Sequence, residues 1–248
     1  MIDFNNYTGR MQYNSGNGMN NIVNFDNAAT SYPKPESVKA AVLYAVNKCG
    51  GNVGRGGHKL AMLTSDMVYE SREAIAGFFG AESENVVFTF NCTHALNLAI
   101  KGVMEGRGHI IISSMEHNSV SRPVEAMSKT GKLRYSVARV YPDDKRTLNS
   151  FRELITPETK AIACTIASNV TGQILPFKGI GKLCQEKNIC FIADGAQACG
   201  IIPVKLSDGI NILCTAGHKG LYGTTGTGLL ISEGKYSISP LMQGGTGR

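Results

Sequence analysis

The stretch Ile210-Asn-Ile-Leu-Cys-Thr-Ala-Gly-His-Lys-Gly-Leu-Tyr-Gly-Thr-Thr-Gly-Thr-Gly-Leu-Leu-Ile231 sets one lysine, Lys219, in a glycine-rich loop between two apolar runs, 210–214 and 229–231. Short apolar runs bounded by glycine read as buried strands. A lysine held between them is a candidate Schiff-base nucleophile, because that chemistry needs the neutral amine, which burial and nearby positive charge favour. The alternative is a solvated loop lysine. The rest of the chain decides between them.

Working outward, further apolar runs at 86–90, 109–113, 161–166 and 190–193 alternate with segments of helical spacing at 38–48, 60–79, 94–103, 119–129, 148–155 and 178–187. This alternation predicts an α/β domain with a mainly parallel sheet, and runs apolar on both sides predict strands covered by helices on both faces. With 248 residues and 42% hydrophobic content the chain can bury one sizeable core. Residues 1–21, rich in Asn and Gly and without apolar periodicity, are expected to form a flexible leader ahead of a domain spanning 22–235.

Composition removes several function classes. The net charge of +6 is spread along the chain with no basic run, which argues against a nucleic-acid arm. Seven cysteines include no Cys-x-x-Cys and no His/Cys spacing suited to zinc, so no metal site is expected and a reducing, cytoplasmic setting fits. No apolar stretch is long enough for a membrane span, and the first residues lack the basic-then-apolar pattern of a secretion signal.

In open α/β sheets ligands sit beyond the carboxyl ends of the strands, and here the residues after each run are polar and distinctive. Asn91-Cys92-Thr93 follows the first run, Glu116-His117 comes soon after the second, Ser168-Asn169 after the third, Asp194-Gly-Ala-Gln197 after the fourth, and Gly217-His218-Lys219 after the fifth. Five strand ends are therefore expected to converge on one pocket. Thr93 reads as the N-cap of a helix starting near His94, whose first-turn N–H groups would hold an anion such as phosphate. Asp194 reads as a carboxylate at the pocket floor, suited to a protonated ring nitrogen, or as a turn cap. His117 can cover an aromatic ligand or transfer a proton, or can be an ordinary loop residue. Gln197 and Asn169 can donate to a phenolic oxygen.

These residues carry a resemblance. The chain resembles the class V aminotransferase-type, pyridoxal-phosphate-dependent cysteine desulfurases over about Ile22 to Arg248, through seven ordered blocks. They are Asn24-Phe-Asp-Asn-Ala-Ala-Thr30, Gly51-Asn-Val-Gly-Arg-Gly-Gly-His58, Thr93 with Ala95-Leu-Asn-Leu98, Glu116-His-Asn-Ser119, Ser168-Asn-Val-Thr-Gly172, Asp194-Gly-Ala-Gln197 and Gly217-His-Lys-Gly220. Glu-His-Asn-Ser-Val together with Gly-His-Lys-Gly-Leu is similar to a bacterial desulfurase-like subgroup. The resemblance implies fold type I of the pyridoxal-phosphate-dependent transferases, and specifically its large domain. It also implies that Lys219 forms the Schiff base with pyridoxal 5'-phosphate and shuttles protons, that His117 stacks on the ring, and that Asp194 holds the ring nitrogen protonated. Gln197 and Asn169 would serve the phenolic oxygen, while Thr93, the Cys92 backbone and His218 would hold the phosphate. The implied reaction turns L-cysteine into alanine and leaves a persulfide. A homodimer is implied, with Gly244-Gly-Thr-Gly247 serving the neighbouring phosphate site, as is a sulfur-acceptor protein.

The chain departs from the family's pattern at three places. Many relatives carry Glu where this chain has His94, and a hydroxyl residue where it has Ala216. Thr215, a backbone N–H or the partner subunit could supply the missing donor. Relatives also continue into a smaller C-terminal domain bearing the nucleophilic cysteine and a carboxylate-binding arginine, so residues 236–248 are expected to begin the connection to a domain this chain lacks, and turnover by the chain itself is in question. Selenocysteine lyase, another class V aminotransferase, or a non-catalytic cofactor-binding fragment remain the alternatives. A nicotinamide-binding loop is disfavoured, because the glycines at 223–228 precede a strand rather than a helix, and no Walker phosphate loop is present.

Overall fold

The computed structural model describes residues 24–55 and 57–244. The expected leader, 1–21, and the end of the expected connection, 245–248, lie outside the described residues. Among the described residues seven strands form one sheet: β1 (Val86–Thr89), β2 (Gly108–Ser113), β3 (Leu133–Ala138), β4 (Thr159–Thr165), β5 (Cys190–Asp194), β6 (Ile212–Ala216) and β7 (Gly228–Ser232). Their order is β1-β7-β6-β5-β4-β2-β3. β2 to β6 pair in parallel, while β7 runs antiparallel between β6 and β1. The mainly parallel α/β sheet expected from the alternation of runs is thus the observed fold.

Side-chain alternation along the strands builds a core on each face. Phe191, Ala193 and Leu213 point to one side, where they meet helices α2 (Lys59–Phe79), α5 (Asp144–Leu154) and α6 (Phe177–Lys187). Ile192, Ile212 and Cys214 point to the other, against α3 (Cys92–Met104) and α4 (Asn118–Ser128). Phe191 has no exposed surface, and truncating a buried Phe to Ala costs about 3–5 kcal/mol. α1 (Glu36–Lys48) is different: it buries none of its residues and leaves Leu43 and Val46 exposed.

The structure departs from the sequence-based expectations in three places that matter for the site. β3 was not anticipated. It is an edge strand paired only with β2, with Tyr135 and Val137 half-exposed, so its sequence Leu-Arg-Tyr-Ser-Val-Ala shows no continuous apolar run. β6 begins at Ile212 instead of Ile210 and runs on to Ala216, because the Asn211 side chain takes the Phe191 N–H at 2.6 Å where a strand residue's carbonyl would. Finally, Thr93 is not the N-cap of α3. Asn91 is: its backbone is extended and its side-chain oxygen accepts from the His94 N–H at 2.8 Å, which leaves Thr93 as the second helical residue.

Two contacts set where α3 begins. The Thr89 hydroxyl at the end of β1 donates to the Asn91 carbonyl at 3.0 Å. Gly228 at the start of β7 abuts Asn91 so closely that a Cβ there would lie 2.4 Å from the Asn91 carbonyl carbon. After β7 the chain returns to α3, where the Ser239 N–H meets the Gly102 carbonyl at 3.3 Å and Ile238 packs against the core. All the parallel strands end at one edge of the sheet, and the site lies there.

Candidate active site

A cavity of about 100 Å³ opens at that edge, lined from five strand ends. Asn91, Cys92 and Thr93 come from beyond β1, His117 and Ser119 from beyond β2, and Thr165, Ala167 and Asn169 from β4 and the loop after it. β5 contributes Asp194, with Ala196 and Gln197 following it, and β6 contributes Ala216, with His218 and Lys219 following. Cys92, Thr93, His117, Asn169, Asp194, Gln197, His218 and Lys219, the catalytic and cofactor-binding candidates read from the sequence, all border this one space. Thr93, His117 and Asn169 are exposed on its open side, whereas Asp194 is 3% exposed at its base.

Asp194 ends β5 between Thr165 of β4 and Cys214 of β6. Its Oδ1 accepts from the Ala196 N–H at 2.9 Å and the Cys92 thiol at 3.4 Å. Burial pushes its carboxyl above the ordinary carboxylate range, opposed by those two donors and by the charges of His117 and Lys219. The residue is both the turn cap and the pocket-floor carboxylate foreseen as alternatives. Two first-turn N–H groups of α3, those of Cys92 and Thr93, have no partner within the helix and lie at the positive end of its dipole.

His117 caps α4. Its Nδ1 accepts from the Ser119 N–H at 3.1 Å and contacts the Ser119 hydroxyl at 2.8 Å, which leaves Nε2 as the ring's N–H donor. His218 is held neutral, its ring pushed below the usual imidazole range by burial first and then by the charges of Lys219 and Lys34. Its Nδ1 is buried with no hydrogen-bond partner. An orphaned buried nitrogen of this kind is normally satisfied by a ligand or water. Gln197 reaches the Ala28 carbonyl at 3.1 Å. Thr215, one candidate for the donor missing at Ala216, is 1% exposed, donates to the Gly195 carbonyl at 3.3 Å and does not line the cavity.

Sequence reasoning missed the residues that fix the Lys219 backbone. The Thr30 and Ser31 hydroxyls and the Ser31 N–H all converge on the His218 carbonyl, at 3.1 to 3.2 Å, and Lys34 Nζ joins them at 2.9 Å. The Ser31 hydroxyl also reaches the Lys219 carbonyl at 2.9 Å. The segment from Thr30 to Lys34 thus straps the lysine loop from almost two hundred residues away in sequence, a contact that no local pattern encodes. Gly220 lets the loop pack closely on the Cys199 backbone, since a Cβ there would fall 2.4 Å from the Cys199 carbonyl oxygen.

The cysteines form no thiolate site. All seven are free, and six are buried. Burial is the leading cause that raises the Cys92, Cys164, Cys184, Cys190, Cys199 and Cys214 thiols, those of Cys190 and Cys199 to about 12. Among the described residues no group of His, Cys, Asp and Glu is placed to hold a metal ion, and no helix is long and apolar enough to cross a membrane.

Fold and site together place a lysine amine, a buried carboxylate and a helix N-terminus around one cavity at the carboxyl edge of an α/β sheet. The chain belongs to the class V aminotransferase family, whose model matches residues 23–247 and whose enzymes depend on pyridoxal phosphate. Within that family it is similar to cysteine desulfurases. It is 30% identical to the cysteine desulfurase IscS of Rickettsia massiliae, over 90% of this chain and 55% of that protein. It is 32% identical to the probable mitochondrial cysteine desulfurase of Dictyostelium discoideum, over 79% of this chain and 44% of that one. Among solved structures, the apo cysteine desulfurase of Thermococcus onnurineus NA1 matches with a TM-score of 0.79 and 31% identity, over 90% of this chain and 57% of the other. SspA in complex with cysteine matches with a TM-score of 0.80 and 28% identity, over 89% and 65%. The chain spans about half the length of the curated relatives it matches.

Proposed function

We propose that this chain is the pyridoxal-phosphate-binding part of a cysteine desulfurase-like protein acting on L-cysteine. The observation that carries the reading is the meeting of Lys219, Asp194, the first turn of α3 and the orphaned His218 nitrogen around one cavity. That set suits pyridoxal phosphate group by group: an amine for the carbonyl, a carboxylate for the ring nitrogen, and N–H donors at a helix N-terminus for the phosphate.

When bound, pyridoxal phosphate supplies an electron sink for carbanions at the amino-acid α-carbon. Lys219 holds the cofactor and then moves a proton at the substrate α-carbon. Asp194 keeps a proton on the ring nitrogen, and the low-dielectric floor of the cavity strengthens that charge pair. The Cys92 and Thr93 N–H groups and the His218 ring hold the phosphate. Asn169 and Gln197 donate at the phenolic oxygen, and His117 covers the open side with Nε2–H available as an acid. In the full reaction the C–S bond of L-cysteine breaks and the sulfur joins a cysteine thiol as a persulfide. The carbon keeps the bonding pair, takes a proton and leaves as alanine.

The thiols of this chain favour a second reading, cofactor binding without sulfur transfer by the chain alone. Six are buried and protonated, and Cys49 is half-buried with its sulfur 3.2 Å from that of Met67. We further infer that residues 22–235 act as the binding domain in a reducing, cytoplasmic setting, and that the chain works as a homodimer, with a sulfur-acceptor protein as its other partner. The apolar surface exposed on α1 supports the homodimer. Of Gly244-Gly-Thr-Gly247, expected to serve the partner's phosphate, the last three residues lie outside the described residues.

Mixing the chain with pyridoxal phosphate and L-cysteine, then assaying alanine and sulfide, tests the function. Cofactor uptake with both products supports the desulfurase, and uptake without products supports the binding module. Absence of uptake refutes both.

A further inference from the structure

Glu116, next to His117 in sequence, is a buried acid that the proposed chemistry does not use. Its residue is only half-buried overall, but its carboxyl end lies inside the protein. Oε1 accepts from the Ser113 hydroxyl at the end of β2 and from the Thr165 N–H at the end of β4, the latter at 3.0 Å. Oε2 is buried with no hydrogen-bond partner. Among the described residues Glu116 makes no ion pair. The titratable groups that face it are Asp194 on β5, which repels a charge on it, and Cys164 on β4, itself a buried thiol.

A carboxylate with one oxygen unpartnered and a second carboxylate beside it is far more costly inside a protein than the uncharged acid. Two donors suffice for the carbonyl oxygen of a neutral acid, and they tie together the strand ends that flank the cavity. Thr165 is the sheet neighbour of Asp194, and its hydroxyl donates to the Ala167 carbonyl at 2.9 Å, at the start of the loop carrying Asn169. The turn carrying His117 is fixed at its other side by the Met115 N–H on the Ser113 hydroxyl at 3.2 Å.

We propose that Glu116 is a positioning residue of this cavity: an uncharged carboxylic acid that pins the end of β2 to the end of β4. It thereby sets where His117 and Asn169 stand, and it leaves Asp194 as the only carboxylate charge beneath the ligand. This rests on the cofactor-site reading for its consequences, but not for the state of Glu116 itself. Burial and the neighbouring Asp194 push the Glu116 carboxyl up to about 8, with the Ser113 and Thr165 donors opposing. A carboxyl whose pKa is raised on folding stabilises the fold fully below its unfolded value near 4.5, and that contribution is lost as pH rises toward 8.

The test compares the wild-type chain with Glu116→Gln, a neutral isostere able to accept the same two hydrogen bonds, and with Glu116→Ala. Without cofactor, thermal unfolding is followed from pH 5 to pH 8.5. The melting temperature of Glu116→Gln is expected to gain on the wild type by several degrees across this range, and parallel curves overturn the neutral acid. With pyridoxal phosphate, Glu116→Gln should keep the absorbance band of the lysine adduct and its pH midpoint, whereas Glu116→Ala should shift both. Indistinguishable Gln and Ala spectra overturn the positioning role. If no form of the chain takes up the cofactor, the functional reading fails while the pH comparison still decides the state of Glu116. If the Ala variant does not fold, a Gln spectrum displaced from the wild type overturns the positioning role and an unchanged one supports it.

Discussion

Two cavities flank the loop that carries Lys219, and the larger is not the one that gathers the charged groups. The larger, about 730 Å³, runs between α2, β1 and the glycine-rich loop and is lined by apolar residues such as Phe78, Phe88, Phe90, Leu221 and Leu229. Its one titratable side chain, His94, stacks on Phe90 with ring centroids 5.1 Å apart. The smaller, about 100 Å³, gathers Lys219, Asp194, His117 and His218 with the free end of a helix. Size marks where apolar surface is left uncovered, whereas convergence of charged groups and orphaned donors or acceptors marks where a reaction can be run. The same loop serves both spaces, so substitutions can separate them.

The largest effect short of removing the lysine is expected at Asp194. Asp194→Asn keeps an acceptor for the Ala196 N–H but removes the charge beneath the ring nitrogen. Losing one partner of a buried charge pair costs about 2–5 kcal/mol, so cofactor affinity measured by absorbance titration should fall roughly 30-fold or more. An unchanged affinity would move the charge partner elsewhere. Gly228→Ala comes next. The added Cβ would collide with Asn91 and force the start of α3 away from β7, with overpacking of this kind costing about 1–3 kcal/mol. Calorimetry should show a lower melting temperature, and phosphate-end affinity should drop with it.

On the other side of the loop, Phe78→Ser should leave cofactor uptake within about twofold, because surface substitutions far from a site usually change energies by less than about 0.5 kcal/mol. A large loss of uptake would erase the distinction between the two cavities. The smallest effect concerns the thiols. Under native conditions a thiol reagent should label Cys49 and spare the six buried cysteines, all of which should react after unfolding. Fast native labelling of Cys92 would contradict its burial against Asp194.

Much of this was legible in the sequence, for identifiable reasons. Strands β2, β4, β5 and β6 run parallel and are covered on both faces, so each appears as an apolar run, and the polar residues that follow must lie at one edge of the sheet. Lys219, Asp194, Gln197, His117 and Asn169 were therefore readable by position alone. β3 was not, because a half-exposed edge strand needs no continuous apolar run. The cap of α3 was misassigned by two residues, since Asn91 and Thr93 both suit the role and only the Thr89 and Gly228 contacts choose between them. The strap from Thr30, Ser31 and Lys34 and the bridge through Glu116 depend on contacts between distant segments. Residue type suggests neither.

The central claim is that Lys219 anchors pyridoxal phosphate, and borohydride reduction followed by peptide mass analysis tests it most directly. The wild-type chain incubated with the cofactor should yield one reduced adduct, carried on the peptide containing Lys219, and Lys219→Ala should yield none. An adduct of equal yield in Lys219→Ala, or one found on a different lysine of the wild type, would contradict the account.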